Sequence, residues 1–582
     1  DDPDAVLAEL ARELRAAGEA EVTVAVLRDR IERWNGDPFR PAVVADDVSP
    51  DLWVTLSERT ATLPGVGVDL TLERVYPYGS TAAHVLGYVG EINGSELEQA
   101  VGKPKPYEPG DSIGKSGVER IYEDLLRGTP GQVTLEVDSL GRVVRVLDEI
   151  APRPGADLRL TIDVDVQAHT ERALAAEAER VRTRGDVSSN GIRATAPSGA
   201  AVVLDPTDGA VVAMASFPTF DPNQVTSGIS TEAWAWLQDP ANQLPLLNRS
   251  IQGTYAPGST FKLVVAHASA ATGARPPDQW IDDPGIYEIV GCTAGRCEFE
   301  NANRTPYGSV DMARSLAVSS DVYYFSLADQ LWRARNVYGD APMQDSARSF
   351  GFDTQTGVQL PFEAAGLIID PERQQARYEA NPDLFLTGNW NTGDNLNVSI
   401  GSGDVLVTPL QLANAYATFA NGGTRYSPTI AVDATDPLTG EVLQVFGARP
   451  AGQVELSPTF RDAALRGLLG AVRDPGGTAT AVFSGFPLDT FPVAGKTGTS
   501  ERDGRADTSL FAAFAPADDP RYALAVVMDQ SGFGSRAAAP AARRILEPLS
   551  GAVPLPRAPL VGEPPPPEVV PDVPDGDLGA AD

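Results

Sequence analysis

A serine and a lysine one helical turn apart carry the sharpest reactive potential in this sequence. They lie in Tyr255-Ala-Pro-Gly-Ser259-Thr-Phe-Lys262, followed by the apolar run Leu263-Val-Val-Ala-His267. Pro257-Gly258 ends a turn, so the pattern predicts a helix opening at Ser259. Residues i and i+3 share a helix face, which lets the lysine amine reach the serine hydroxyl. That is a nucleophile and a base without histidine. The helix N-terminus adds backbone N–H groups and positive partial charge where an oxyanion would develop. The bland alternative is an N-cap serine beside a solvated lysine, and Ser-x-x-Lys alone is a weak signal. Ser112-Ile-Gly-Lys115 repeats the spacing, but Gly114 interrupts it and the helix is expected only afterwards. The same segment falls one residue short of a phosphate-binding loop.

Composition sharpens the choice. Lysine is rare, five among 46 basic residues, and there are three histidines, His84, His169 and His267. A guanidinium keeps its proton whereas a desolvated amine can lose one, which singles out Lys262 and Lys496. His267 stands eight residues beyond Ser259 on the same expected helix, roughly 12 Å along its axis, so a Ser-His-Asp triad is disfavoured.

Two further clusters strengthen the Ser259 reading. In Ser315-Leu-Ala-Val-Ser-Ser-Asp321, Ser319 and Asp321 fall between two apolar helical stretches, where short polar side chains at a turn can face a common cleft; such a cluster alone is most often a helix cap. Val493-Ala-Gly-Lys496-Thr-Gly-Thr499 is an apolar strand ending in lysine, hydroxyls and glycine. Here Lys496 and Thr497 can bind a carboxylate, Gly498 can admit a ligand to the backbone, and the Thr499 N–H can complete an oxyanion hole. The alternative is a strand running into a turn. Cys292 and Cys297 are the only cysteines; their spacing suits a small disulfide or two free thiols, and too few further ligands lie nearby for a metal site. Neither a metal nor a cofactor is expected.

The elements around these motifs suggest an α+β domain. Residues 4–34 read as two short helices, and residues 118–126 as a short amphipathic one stopped by Gly128. Residues 133–146 alternate like strands. A helix over about 166–183 leads into two apolar runs, 200–204 and 210–215, around Asp205-Pro-Thr-Asp-Gly209, a hairpin signal,. Far downstream, 510–515 and 522–528 form a second strand pair before a helix over 537–549. Strands at both ends with helices between them imply one sheet closed by both ends of the segment. We therefore expect a non-catalytic module over residues 1–155, a catalytic domain over 156–550, and a disordered Pro-rich acidic tail over 551–582. The formal charge of −33 argues against nucleic acid as a partner,. No run of about 18 apolar residues would span a membrane.

Ser259-Thr-Phe-Lys262, Ser319-Ser-Asp321 and Lys496-Thr-Gly498, in this order, resemble the three active-site motifs of the penicillin-binding protein and serine β-lactamase superfamily. The resemblance extends to Tyr76-Pro-Tyr-Gly79, His84-Val-Leu-Gly-Tyr-Val-Gly90, Gly114-Lys-Ser-Gly-Val-Glu-Arg120, residues 209–222, and Ser399-Ile-Gly-Ser-Gly403 with Thr408-Pro-Leu-Gln411. It covers residues from about 50 to 550 and is most similar to class B penicillin-binding proteins, the monofunctional transpeptidases, especially the elongation type. Asp321 stands where the superfamily more often has Asn.

The resemblance implies an antiparallel sheet flanked by helices on an elongated N-terminal pedestal, and acyl transfer on peptidoglycan stem peptides ending in D-Ala-D-Ala. Ser259 would attack the penultimate carbonyl while neutral Lys262 accepts its proton. Ser319 would relay a proton to the leaving D-Ala, with Asp321 positioning the cleft. Lys496, Thr497 and Thr499 would hold the terminal carboxylate, and the N–H groups of Ser259 and Thr499 the oxyanion. β-Lactam antibiotics would acylate Ser259. The implied partner is a polytopic SEDS-family glycosyltransferase, met through the N-terminal domain. The implied location is the extracytoplasmic face of the bacterial membrane, with an N-terminal transmembrane anchor absent from this chain. Two rivals keep the site: a β-lactamase or D,D-carboxypeptidase, and a non-catalytic β-lactam sensor or scaffold.

Overall fold

The computed structural model describes residues 2–33, 42–46, 48–59, 62–68, 72–102, 105–137, 143–226, 228–293, 295–385 and 387–566. The chain divides into two compact units, which interleave in sequence: the smaller holds Asp1–Val75, Tyr88–Lys115 and Asn223–Gly228, the larger everything else.

In the smaller unit the two short helices expected at the N-terminus are Pro3–Ala16 and Val24–Arg33, joined by Pro50–Glu58. Asp2 and Ser49 cap the first and third, each accepting a backbone N–H,. Leu10, Leu14, Val22, Leu27, Leu52 and Leu56 form the core that holds them together. Ser112–Gly114 is a strand paired antiparallel with Val89–Glu91. The second Ser-x-x-Lys is therefore extended, and Lys115 is ion-paired with Glu96.

The larger unit is built on a five-stranded antiparallel sheet. Its strands are β1 (Gly199–Leu204), β2 (Val211–Phe217), β3 (Ala494–Ser500), β4 (Thr508–Ala515) and β5 (Tyr522–Met528), in the order β3-β4-β5-β1-β2. β5 pairs with β1, so the two ends of the segment do close one sheet. Alternate residues feed two separate cores: Val202, Leu204, Leu510, Ala512 and Val527 on one face, Ala201, Val203, Phe511, Ala513 and Val526 on the other. Burial on both faces is why these strands read as unbroken apolar runs.

One face packs on α1 (Val164–Arg184) and on α7 (Ala538–Leu549). The other core takes in α2 (Lys262–Thr272), α3 (Met312–Val318), α4 (Asp321–Arg333), α5 (Pro409–Ala420) and α6 (Pro458–Arg473). Each large apolar side chain buried there contributes roughly 1.5–3 kcal/mol.

Three expectations are revised. The helix expected over 118–126 is two pieces, Gly117–Ile121 and Glu123–Leu126, broken where Tyr122 turns into the core against Phe446. Packing does not divide at residue 155: Val85, Val118 and Tyr122 belong to the large core, so residues 76–87 and 116–155 lie in the larger unit. The first half of the tail is docked rather than disordered. The Ala558 N–H donates to Asp165 Oδ1 at 2.7 Å, the Val561 N–H to Pro77 O at 2.8 Å, and Ala558 is fully buried. Residues 567–582 lie outside the described residues, as do residues 138–142 between the paired strands Gln132–Val137 and Val143–Ile150. Among the described residues no helix is long and apolar enough to cross a membrane.

Candidate active site

Ser259 lies in a 3₁₀ turn, Gly258–Phe261, and the α-helix proper begins at Lys262. This differs from a helix opening at the serine, because Gly258 has φ +53° and the chain must swing past β3 before it can coil. A Cβ on Gly258 would stand 2.4 Å from Thr499 O, so only glycine permits this approach,. The Gly258 N–H donates to Gly401 O at 3.0 Å. Gly401 is itself at φ +71°, where a Cβ would stand 2.3 Å from Gly258 O. The Ser399–Gly403 motif thus forms the floor of the nucleophile turn. The buried Tyr416 hydroxyl donates to Thr260 O at 3.0 Å and the Thr260 hydroxyl to Pro257 O at 2.6 Å. Burial pushes the Tyr416 phenol well up, keeping it a donor,.

Lys262 is fully buried, and its amine meets the second motif. Nζ donates to Ser319 O at 2.8 Å, lies 3.2 Å from Ser319 Oγ and forms an ion pair of 2.6 Å with Asp321 Oδ1. The Tyr324 ring lies 5.4 Å away. Ser259 Oγ is not among the hydrogen-bond partners of Nζ. The lysine on the serine's own helix face is held toward the neighbouring loop, because a carboxylate outcompetes a hydroxyl for an ammonium group. Ser319 closes α3 in the left-handed conformation, φ 61° and ψ 37°. That is a strained position for a serine, of the kind retained at functional sites.

The third motif lies on β3, at the edge of the sheet, so one row of its backbone groups faces away from β4,. A Cβ on Gly498 would stand 2.8 Å from Pro257 O, so the space its missing side chain leaves is filled by the nucleophile turn rather than left open to a ligand. Lys496 and Thr497 are both fully buried. The Thr497 hydroxyl donates to Thr478 Oγ1 at 2.8 Å, and Thr499 Oγ1 accepts the Gly534 N–H at 3.1 Å. The site therefore brings together Ser259, Lys262, Ser319, Asp321 and the strand from Lys496 to Thr499.

Cys292 and Cys297 are joined in a disulfide at the end of a hairpin, Ile286–Glu288 paired with Glu298–Glu300. The histidines are spent on structure: His267 contacts Ser346 Oγ and Glu455 O, and His84 Nε2 contacts Pro245 O. Among the described residues no cluster of His, Cys, Asp or Glu could hold a metal ion. Sequence reading missed Thr478, Gly534 and Tyr416, each remote in the chain from the motif it supports; a single threonine, glycine or tyrosine carries no spacing signal.

These motifs are set together on a two-faced antiparallel sheet with helices on both sides. The chain belongs to the penicillin-binding protein transpeptidase family: the model described as the penicillin binding protein transpeptidase domain matches residues 199–547, and that of the penicillin-binding protein dimerisation domain matches residues 1–160. It is 33% identical over 501 residues to the peptidoglycan D,D-transpeptidase MrdA of Acinetobacter baumannii, covering 83% of this chain and 67% of the relative. Pseudomonas aeruginosa PBP2, solved in complex with WCK 5153, superposes with a TM-score of 0.63 at 30% identity, covering 83% of this chain and 91% of that one. A chain solved in a study of how a peptidoglycan synthase complex coordinates polymerization and crosslinking superposes at 0.69 with 29% identity, covering 94% and 85%.

Proposed function

We propose that this chain is a peptidoglycan D,D-transpeptidase of the elongation type, crosslinking stem peptides through an acyl-enzyme on Ser259. The observation that carries the reading is the convergence of Lys262 Nζ, Ser319 Oγ and Asp321 Oδ1 within 3.2 Å, beneath the turn that presents Ser259. Ser259 Oγ attacks the carbonyl of the penultimate D-Ala, and its proton passes to Lys262. Lys262 accepts it as the free amine, with Asp321 Oδ1, 2.6 Å away, placed to hold the ammonium that forms. Ser319, hydrogen-bonded to the amine, relays a proton to the nitrogen of the departing D-Ala. An amine of a neighbouring stem then attacks the acyl carbonyl, Ser259 Oγ leaves and regains a proton, and the crosslink is made.

The oxyanion is held by the backbone N–H groups of Ser259 and Thr499, brought together because Gly258 lets the nucleophile turn press against β3,. The terminal carboxylate meets the Lys496–Thr499 edge, with Thr478 orienting the Thr497 hydroxyl. Within residues 1–155 the part in the smaller unit serves as the non-catalytic pedestal, while residues 76–87 and 116–155 pack with the transpeptidase domain of 156–550. Because the substrate lies outside the cytoplasmic membrane, the enzyme works on its extracytoplasmic face. A SEDS-family glycosyltransferase supplying new glycan is the partner of the pedestal; likeness to a chain of a synthase complex that couples polymerization to crosslinking supports this.

The test is an intact-mass time course with a penicillin on the wild type and Ser259→Ala. A one-equivalent adduct that persists for hours on the wild type and is missing from the variant supports the reading, and a crosslinking assay then separates enzyme from sensor. Drug loss without an accumulating adduct means a hydrolase. No adduct and no drug loss removes Ser259 as nucleophile.

A further inference from the structure

Just outside the catalytic groups lies a wholly buried polar pair that the mechanism above does not use. Asp283 and Asn301 are 0% and 1% exposed. Asn301 Nδ2 donates to Asp283 Oδ1 at 2.9 Å and Oδ2 at 3.0 Å, and to Thr305 O at 2.8 Å. Asn301 Oδ1 accepts two backbone amides, Asp321 N–H at 2.8 Å and Val322 N–H at 3.0 Å. Those are the first two amides of α4, donors that no intrahelical carbonyl can satisfy. Asp283 accepts the Gly285 N–H at 2.8 Å and the hydroxyl of Ser320, which in turn caps α4 by accepting the Tyr323 N–H at 3.1 Å. Every polar atom of the asparagine amide is thereby used, and in a dry site a network of this kind fixes geometry sharply.

We propose that Asp283 and Asn301 are positioning residues for acylation. Through the α4 amides and Ser320 they set where Asp321, and with it Lys262 Nζ and Ser319, stand beneath Ser259. The Cys292–Cys297 disulfide belongs to the same device. It closes the hairpin whose two strands begin just after Asp283 and end just before Asn301, where the Asn301 N–H also donates to Gly285 O at 3.0 Å. Closing that loop limits how far the two halves of the pair can drift apart. The inference rests on Ser319 and Asp321 serving acylation.

The experiment measures the second-order acylation rate with a fluorescent penicillin, and amide hydrogen exchange at Asp321 and Val322, in the full chain. Asn301→Ala is expected to slow acylation about 10- to 100-fold, the size of effect that follows a displacement of order 1 Å in a reacting group. It should also speed exchange of these two amides at least about tenfold relative to Leu327 and Ala328 in the same helix. Asn301→Asp keeps the acceptor for the α4 amides but sets a second carboxylate against Asp283, and acylation falls. Adding Asp283→Asn restores one donor between the two positions and brings the rate back to within about threefold of wild type, a rescue that a generally weakened fold would not give. Cys292→Ser with Cys297→Ser should slow acylation about threefold or more, since loosening the supporting loop costs less than removing the pair.

Acylation and exchange both unchanged in folded Asn301→Ala would overturn the proposal. If that variant does not fold, a folded Asn301→Asp/Asp283→Asn double variant that regains no activity overturns it equally. Unchanged acylation in the cysteine variant removes the hairpin from the device. A wild type that takes up no penicillin defeats the functional reading instead, and the exchange data then judge the placement of the α4 amides on their own.

Discussion

Lys262 Nζ and Asp321 Oδ1 stand 2.6 Å apart, the amine fully buried and the carboxylate partly exposed. The residue that departs from the superfamily's more usual asparagine thus touches the Lys262 amine directly. A burial of this kind tolerates exchange of one partner only if the remaining group keeps an acceptor. Asp321→Asn, whose amide oxygen can still accept from Nζ, is expected to keep the acylation rate within about tenfold of wild type, whereas Asp321→Ala, which leaves Nζ only the two oxygens of Ser319 as acceptors, should lose about 100-fold or more,. Rates measured with a reporter penicillin decide it, and equal losses in both variants would count against a hydrogen-bonding role.

Lys262→Arg should abolish acylation, since a guanidinium cannot act as the base. Intact mass after incubation with excess penicillin is the readout; a labelled, folded variant would refute the role.

The close contact between the nucleophile turn and β3 makes a third prediction. Gly258→Ala places a methyl group 2.4 Å from Thr499 O at a backbone φ of +53°. Strain at such a position costs roughly 1–3 kcal/mol before the clash is counted. The variant should lose several degrees in Tm and nearly all acylation. Gly532→Ala, also at positive φ but with nothing within 4 Å of the new methyl group, should show the strain without the loss of acylation. Similar rates in the two would mean that the approach of Gly258 to Thr499 is not what aligns the site.

Beside β3, Thr478→Val removes the acceptor of the Thr497 hydroxyl while conserving volume. Leaving that buried hydroxyl unpaired costs about 1–3 kcal/mol, and acylation is expected to slow about tenfold. Lys496→Ala should reduce acylation efficiency more than it alters Tm. An unchanged efficiency in a folded Lys496→Ala protein would remove the lysine from carboxylate recognition.

Stability should respond to pH through two buried groups around Ala82–His84. Burial raises the Glu171 carboxyl from 4.5 to about 7, although it accepts from Gln167 Nε2 and the Ala82 N–H. Burial lowers His84 from 6.5 to about 4. The folded state keeps the Glu171 proton that the unfolded chain sheds, so this contribution is full below pH 4.5 and is lost as pH rises to about 7,. His84 works the other way: the unfolded chain binds a proton that the folded state refuses, so stability is lost as pH falls from 6.5 towards about 4,. Across the overlap the slopes oppose. Urea midpoints measured from pH 4.5 to 7.5 should rise more steeply with pH in Glu171→Gln than in wild type. A parallel dependence in the two would show that Glu171 ionises normally.

Features set by one element were legible in the sequence. The hairpin of β1 and β2, the pairing of β4 with β5, the long helix α1 and the break between α3 and α4 follow from apolar periodicity, caps and turn residues, all local. So do the three motifs, whose residues lie within a few positions of one another. Their meeting was not legible, because it joins residues dozens or hundreds of positions apart. Ser259 and Lys262 share a helical spacing, but the direction of the lysine amine is decided by Asp321. The hydroxyl of Thr497 is turned by Thr478, and the nucleophile turn is seated by Gly401 and Thr499. The docking of residues 551–566, despite a composition suited to disorder, has the same origin: the acceptors for the amides of Ala558 and Val561 are Asp165 and Pro77, at the other end of the chain. Periodicity reports which face of an element is buried, and only packing decides what it is buried against.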